Sequence, residues 1–156
     1  MININIPKKK KIKVEHLVLD FNGTLAIDGK LIPNVKDIIN RLSKRIKIHV
    51  LTADTFGSSK KELTGINCSL HILSYTSQDT QKKQYVTDLG KDSVIAIGNG
   101  KNDAMMLKEA AIGIVVIQEE GASIKSLQNT DIICKNIIDA LNLLRKEKRI
   151  TATLRN

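Results

Sequence analysis

The chain has 156 residues, a length that suits one domain whose core is large enough to need no disulfide support. Hydrophobic residues at 42% and charged residues at 26% are ordinary for a globular fold in water, and no apolar run is long enough to span a membrane. The formal charge of +9 invites a nucleic-acid surface, but aromatics are only 3%, too few for the base stacking that single-strand binders use, so nucleic acid is disfavoured.

Met1 to Ile6 alternates apolar and polar residues, as an edge strand does, until Pro7 and the lysine run Lys8–Lys11 interrupt it. Ile12 to Asp20 reads as the first central strand, and Leu25 to Ile32 as a small hairpin turning at Asp28-Gly29. Pro33 and Asn34 open a helix with Val35, Ile38, Ile39 and Leu42 at helical spacing. A second strand follows over Ile46–Leu51, a short helix ends near Gly65, and a third strand covers Ser69–Leu73. Thr80 to Leu89 is a helix stopped by Gly90. Further strands are predicted over Ser93–Ile97, Ile112–Ile117 and Asp131–Cys134, with helical segments over Ala104–Ala110, Ala122–Leu127 and Asn136–Arg145. The basic stretch Arg145–Arg149 reads, like the lysine run, as a solvated end. Cys68 and Cys134 lack C-x-x-C spacing and read as apolar thiols of a reducing compartment; with no signal-peptide segment, a cytoplasmic protein is expected.

Strands alternating with helices predict an α/β fold, with a central, mostly parallel sheet covered on both faces. In such a sheet the C-terminal strand ends share one edge, where ligands bind. Asp20 ends the first central strand, Thr52-Ala53-Asp54 follows the second, and the loop Gly98–Asp103 follows the fourth. Asp20 is thereby placed to act as a nucleophile or a metal ligand. Gly23 permits close approach of a ligand, and Thr24 offers a hydroxyl and an N–H to an anion.

Asp20-Phe21-Asn22-Gly23-Thr24-Leu25 resembles the first motif of the haloacid dehalogenase (HAD) superfamily, D-x-D-G-T-L, and the D-K-T-G-T-L-T of P-type ATPases. Thr52-Ala53-Asp54 is similar to the second motif, and Lys82, Val86 and Leu89 to the K-x-x-x-V-x-x-L of P-type ATPases, with Lys83 an adjacent rival. Gly98-Asn99-Gly100-Lys101-Asn102-Asp103 resembles the fourth, G-D-G-x-N-D. The resemblance covers Val18 to about Cys134 and implies a three-layer αβα, Rossmann-like HAD fold in one domain, residues 1–156. The intervals from Asp20 to Thr52 and from Thr52 to Lys82 have no room for a substantial cap or a nucleotide-binding insertion, which points to the small soluble P-type ATPase-like group.

That resemblance implies phosphoryl transfer through an aspartyl-phosphate on Asp20, with Mg²⁺ as cofactor. Asp20, Asn22 through its main-chain carbonyl, Asn99 and Asp103 are the implied metal ligands, while Thr24, Thr52 and Lys82 hold the phosphoryl group. Two positions depart from the family pattern. Asn22 replaces the aspartate that works as acid and base in HAD phosphatases, and Asn99 replaces a metal-binding carboxylate; an amide does neither proton job. The leading expectation is a Mg²⁺-dependent phosphohydrolase; the alternative is a weakly catalytic or non-catalytic domain that binds Mg²⁺ and a phosphorylated ligand or partner. Without a cap, the substrate is either large, such as a phosphoprotein, or a small molecule enclosed by a neighbouring subunit of a homo-oligomer. No membrane partner is expected.

Overall fold

The structure is a computed structural model that describes residues 1–7, 10–54 and 57–155. Lys8 and Lys9 of the lysine run lie outside the described residues. Strands β1 (Ile2–Ile6) and β2 (Lys10–Val14) form an antiparallel pair. Then come β3 (His16–Asp20), the hairpin β4 (Ala26–Ile27) and β5 (Lys30–Leu31), α1 (Val35–Leu42), β6 (Lys47–Thr52), α2 (Ser59–Glu62), β7 (Ser69–Ile72) and α3 (Gln78–Asp88). The second half runs β8 (Val94–Gly98), a 3₁₀ turn over Lys101–Asp103, α4 (Ala104–Glu109), β9 (Ile112–Val116), α5 (Ile124–Leu127), β10 (Ile132–Cys134), α6 (Ile137–Arg145) and α7 (Lys148–Leu154). Among the described residues no helix is long and apolar enough to cross a membrane.

Six strands make one parallel sheet in the order β10-β9-β8-β3-β6-β7. The strands are apolar on both faces because helices cover both. Leu17, Leu19, Ile95, Ile97, Ile112 and Ile114 point into one core with α1 and α6, whereas Val18, Val94, Ala96 and Val115 point into a second with Val86, Met106 and Leu107 of α3 and α4. The period of two along each strand therefore builds the αβα sandwich expected from the sequence. The chain adds β6 and β7 on one side of β3, then crosses back to add β8 to β10 on the other. That reversal opens a crevice between the C-terminal ends of β3 and β8, where open α/β sheets take their ligands.

Two expectations are corrected. The alternating N-terminal strand is not an edge of the central sheet; it pairs with β2, and Ile2, Ile4, Ile6, Ile12 and Val14 are buried in the α1–α6 core. The strand predicted over Ile12–Asp20 divides at Glu15. There the chain changes partners: Glu15 N–H donates to Ser93 O and its carbonyl accepts from Lys47 N–H, both at the start of the central sheet. The basic residues of the C-terminal stretch are exposed, as expected, and they lead into α7, which packs on β1 and buries Ile150 completely.

Candidate active site

β3 delivers Asp20 to the crevice and then ends in a tight turn. The N–H groups of Thr24, Leu25 and Ala26 all point at the Phe21 carbonyl, at 3.2, 2.9 and 3.0 Å. Gly23 has φ 81°. A Cβ at that position would lie 2.3 Å from Asn99 Nδ2, so only glycine lets the two loops approach. Thr24 is fully buried beneath the turn; its Oγ1 donates to Asp20 Oδ2 at 3.0 Å and lies 3.3 Å from Asn99 Oδ1. One hydroxyl proton serves both oxygens.

α3 contributes Lys82, whose side chain is 1% exposed. Its Nζ donates to Asp20 Oδ1 at 2.7 Å and to Asp103 Oδ1 at 2.6 Å. Lys83, the adjacent rival, turns away instead, with its Nζ 4.0 Å from Glu109. Asp103 is completely buried, and its second oxygen accepts from the N–H groups of Asn99 and Gly100 at 2.9 and 2.8 Å. Gly98 makes room for it, since a Cβ there would sit 2.5 Å from Asp103 Cγ. Both oxygens of Asp103 are thus already engaged.

Burial first, and the Asp103 charge second, push the Asp20 carboxyl up to about 6, against the opposing pull of Lys82. Burial alone would push the Lys82 ammonium down, but Asp103 and Asp20 hold it above its ordinary range. At neutral pH Asp20 is therefore a carboxylate held against the Lys82 ammonium.

Of the residues marked in the sequence, Asp20, Thr24, Lys82, Asn99 and Asp103 meet through these contacts. Thr52 stands one residue beyond the Asp20–Leu51 register pair, and its hydroxyl accepts from Asp54 N–H at 2.9 Å. Asn22 brings a side-chain oxygen that is buried without a hydrogen-bond partner among the described residues. The side chain of Asn99 donates through Nδ2 to Gly121 O at 2.9 Å.

Sequence reasoning missed Gln118. Its Nε2 donates to the carbonyls of Gly23 and Thr24 at 2.9 and 3.0 Å, and its Oε1 accepts from Ile137 N–H at 2.8 Å. One amide thereby ties the Asp20 turn to the start of α6. The available signal was its place just beyond an apolar strand, on the same sheet edge as Asp20.

No family model matches the chain. An uncharacterised protein of Methanocaldococcus jannaschii is 44% identical over 86 residues, covering 53% of this chain and 92% of that protein. The soluble P-type ATPase-like phosphatase of the same organism is 27% identical over 156 residues, or 92% of this chain; the chain spans only 56% of that relative. Among solved structures, the 3-deoxy-D-manno-octulosonate 8-phosphate phosphatase of Moraxella catarrhalis, in complex with magnesium, phosphate and its sugar, superposes with a TM-score of 0.68. It covers 89% of this chain and 90% of its own at 15% identity, a likeness of fold. The catalytic domain of a CPx-ATPase is 26% identical with a TM-score of 0.57, over 76% of this chain and 46% of its own. The ordered motifs, the sheet and these relatives agree: the chain has the fold of the HAD-superfamily phosphatases and is similar in sequence to a soluble P-type ATPase-like phosphatase.

Proposed function

We propose that the protein hydrolyses phosphate esters or phosphoanhydrides through an aspartyl-phosphate on Asp20, with Mg²⁺ as cofactor. The observation that carries this reading is Lys82, buried at the sheet's ligand-binding edge with its ammonium 2.7 Å from Asp20 and 2.6 Å from Asp103. Phosphoryl transfer needs charge neutralisation and in-line placement more than it needs covalent chemistry from the protein. The donor set suits a hard divalent cation, because it is all oxygen: the Asp20 carboxylate, Asn99 Oδ1 and the Asn22 main-chain carbonyl, with Asp103 adjoining. The buried Asn22 Oδ1, lacking a partner, is a further oxygen open to a cation or a water. When bound, Mg²⁺ would neutralise charge on the phosphoryl oxygens.

An oxygen of Asp20 attacks phosphorus, and the bond to the leaving oxygen breaks with its electron pair. Water then attacks the same phosphorus, the bond to Asp20 breaks, and phosphate departs. Lys82 balances charge in both halves, the Thr52 hydroxyl donates to phosphoryl oxygens, and the buried Thr24 hydroxyl holds Asp20 rather than the phosphoryl group. Asn22 gives no proton to the leaving group and takes none from water, so good leaving groups are favoured and the second half is slow. That same amide favours the second reading, a domain that holds Mg²⁺ and a phosphorylated ligand with little turnover. A cytoplasmic setting belongs to the proposal, supported by Cys68 and Cys134 as free thiols.

Beryllofluoride with Mg²⁺, an aspartyl-phosphate mimic, should raise the Tm of the wild type and leave Asp20→Ala unmoved; at a hundredfold excess over Kd the gain is roughly 2.7 kcal/mol. Equal stabilisation of both proteins would remove Asp20 as the phosphorylated residue. Turnover of p-nitrophenyl phosphate that requires Mg²⁺ separates the enzyme from the binding domain.

A further inference from the structure

α3 is an unusual helix for a sandwich layer. Its buried side chains are Lys82 and Val86, with Tyr85 and Leu89 partly buried beside them. A layer helix normally docks through a broad apolar stripe. Polar anchors fill that role here. Gln81 Nε2 donates to Ser74 Oγ and Thr76 O at 2.7 and 2.6 Å, and Gln78 Oε1 accepts from Asn102 Nδ2 at 2.8 Å. Between α3 and the sheet lie all three histidines of the chain, on three neighbouring strands. Tyr85 OH is 2.9 Å from His49 Nδ1 and 2.5 Å from His71 Nε2, and His49 Nε2 is 3.0 Å from His16 Nδ1. The strands that carry His16 and His49 end in Asp20 and Thr52.

We propose that Tyr85 is a positioning residue for Lys82: its hydroxyl, held between His49 and His71, docks α3 at the register that brings the ammonium to Asp20 and Asp103. Tyr85 lies three residues after Lys82, on the same side of the helix. The polar contact therefore acts within one turn of the group it places.

Proton counting shows what holds the assembly together. With three neutral imidazoles, each of the three contacts carries one hydrogen, and every donor meets an acceptor. One added proton on His49 is tolerated, because His16 Nδ1 and Tyr85 OH can both accept. A proton on both His16 and His49 sets two N–H groups against each other across 3.0 Å. The groups facing the chain sharpen this limit. Burial, then the His16, His71 and Lys47 charges, push His49 down to about 4; burial and Lys47 push His16 down, against Glu15.

The consequence for catalysis rests on the role proposed for Lys82, but the test needs no turnover. Hydrogen–deuterium exchange of α3, with α1 as internal reference, is compared between wild type and Tyr85→Phe, together with acylation of Lys82 by a small reagent mapped by peptide mass spectrometry. Loss of a hydrogen bond to a retained ring should speed α3 exchange and Lys82 labelling about 3- to 10-fold while α1 is unchanged. Unchanged α3 exchange and labelling in Tyr85→Phe would overturn the proposal. So would equal acceleration of α1 and α3, which marks a residue of general stability rather than of position.

Discussion

A carboxamide at position 22 leaves Asp20 without a proton donor or acceptor on its own turn. Asn22→Asp should therefore speed phosphoenzyme breakdown by about 10² or more. Burst kinetics with p-nitrophenyl phosphate report the step directly; decay as slow as in wild type would move the search for a base to Asp54 and Asp103. Asn99 poses a different balance. A carboxylate there suits Mg²⁺ better than an amide, yet it would exchange the bond from Nδ2 to Gly121 O for a contact between two acceptors. Asn99→Asp should bind Mg²⁺ more tightly by calorimetry and, without metal, unfold about 1 kcal/mol more easily. Weaker Mg²⁺ binding would place the metal away from this loop. His49 makes the pH dependence of stability readable. Its folded pKa is about 4 against an ordinary 6.5, so between those values the unfolded chain holds the extra proton. The stability it contributes is complete above 6.5 and drains away as pH falls to about 4. Asp20, raised from 3.8 to about 6, contributes in the opposite direction over its own interval. A His49→Asn variant should consequently lose less Tm than wild type across the His49 window, and parallel curves would contradict a neutral buried imidazole.

Elements position these residues through close backbone approach as much as through side chains. Gly113 of β9 lies under α4, and a Cβ there would meet Leu107 O at 2.3 Å and Leu107 C at 2.9 Å. Backbone cannot swing aside, so Gly113→Ala should lift α4, whose first residue follows Asp103, and lose roughly 1–3 kcal/mol in urea unfolding. An unchanged midpoint would mean that α4 shifts freely. Which elements could be read in the sequence follows from the same local physics. The β4–β5 hairpin was legible because Asp28 and Gly29 both take positive φ, 50° and 74°, as a two-residue hairpin turn demands. α1 was legible from Val35, Ile38, Ile39 and Leu42, all of them buried. α7 was not, because Arg145–Arg149 mask the pair Ile150 and Leu154 that docks it. Nor was the division at Glu15, since a strand that changes partners keeps its extended backbone and its apolar pattern. Asp20, Thr24, Lys82, Asn99 and Asp103 stood out as chemistry-bearing residues at strand ends and on a helix; Gln118 is a lone amide with no motif around it.

Over the whole molecule, the charge of +9 and the charge of the site have opposite signs. Long-range fields from a cationic surface draw phosphorylated anions inward and weaken with salt. At the crevice itself Asp20 and Asp103 surround Lys82, which leaves one net negative charge and occupies two of the ammonium protons. An incoming phosphoryl group must therefore win Lys82 from the protein's own carboxylates, and by itself it meets repulsion. A divalent cation reverses the local sign. On the proposed function, cation should bind before anion, because internal neutralisation of Lys82 opposes phosphate alone. Inorganic phosphate should leave the Tm unchanged without Mg²⁺ and raise it with Mg²⁺; equal stabilisation in both conditions would show that Lys82 releases its partners without help. Such gating by charge would make the metal itself the condition on which the crevice admits an anion.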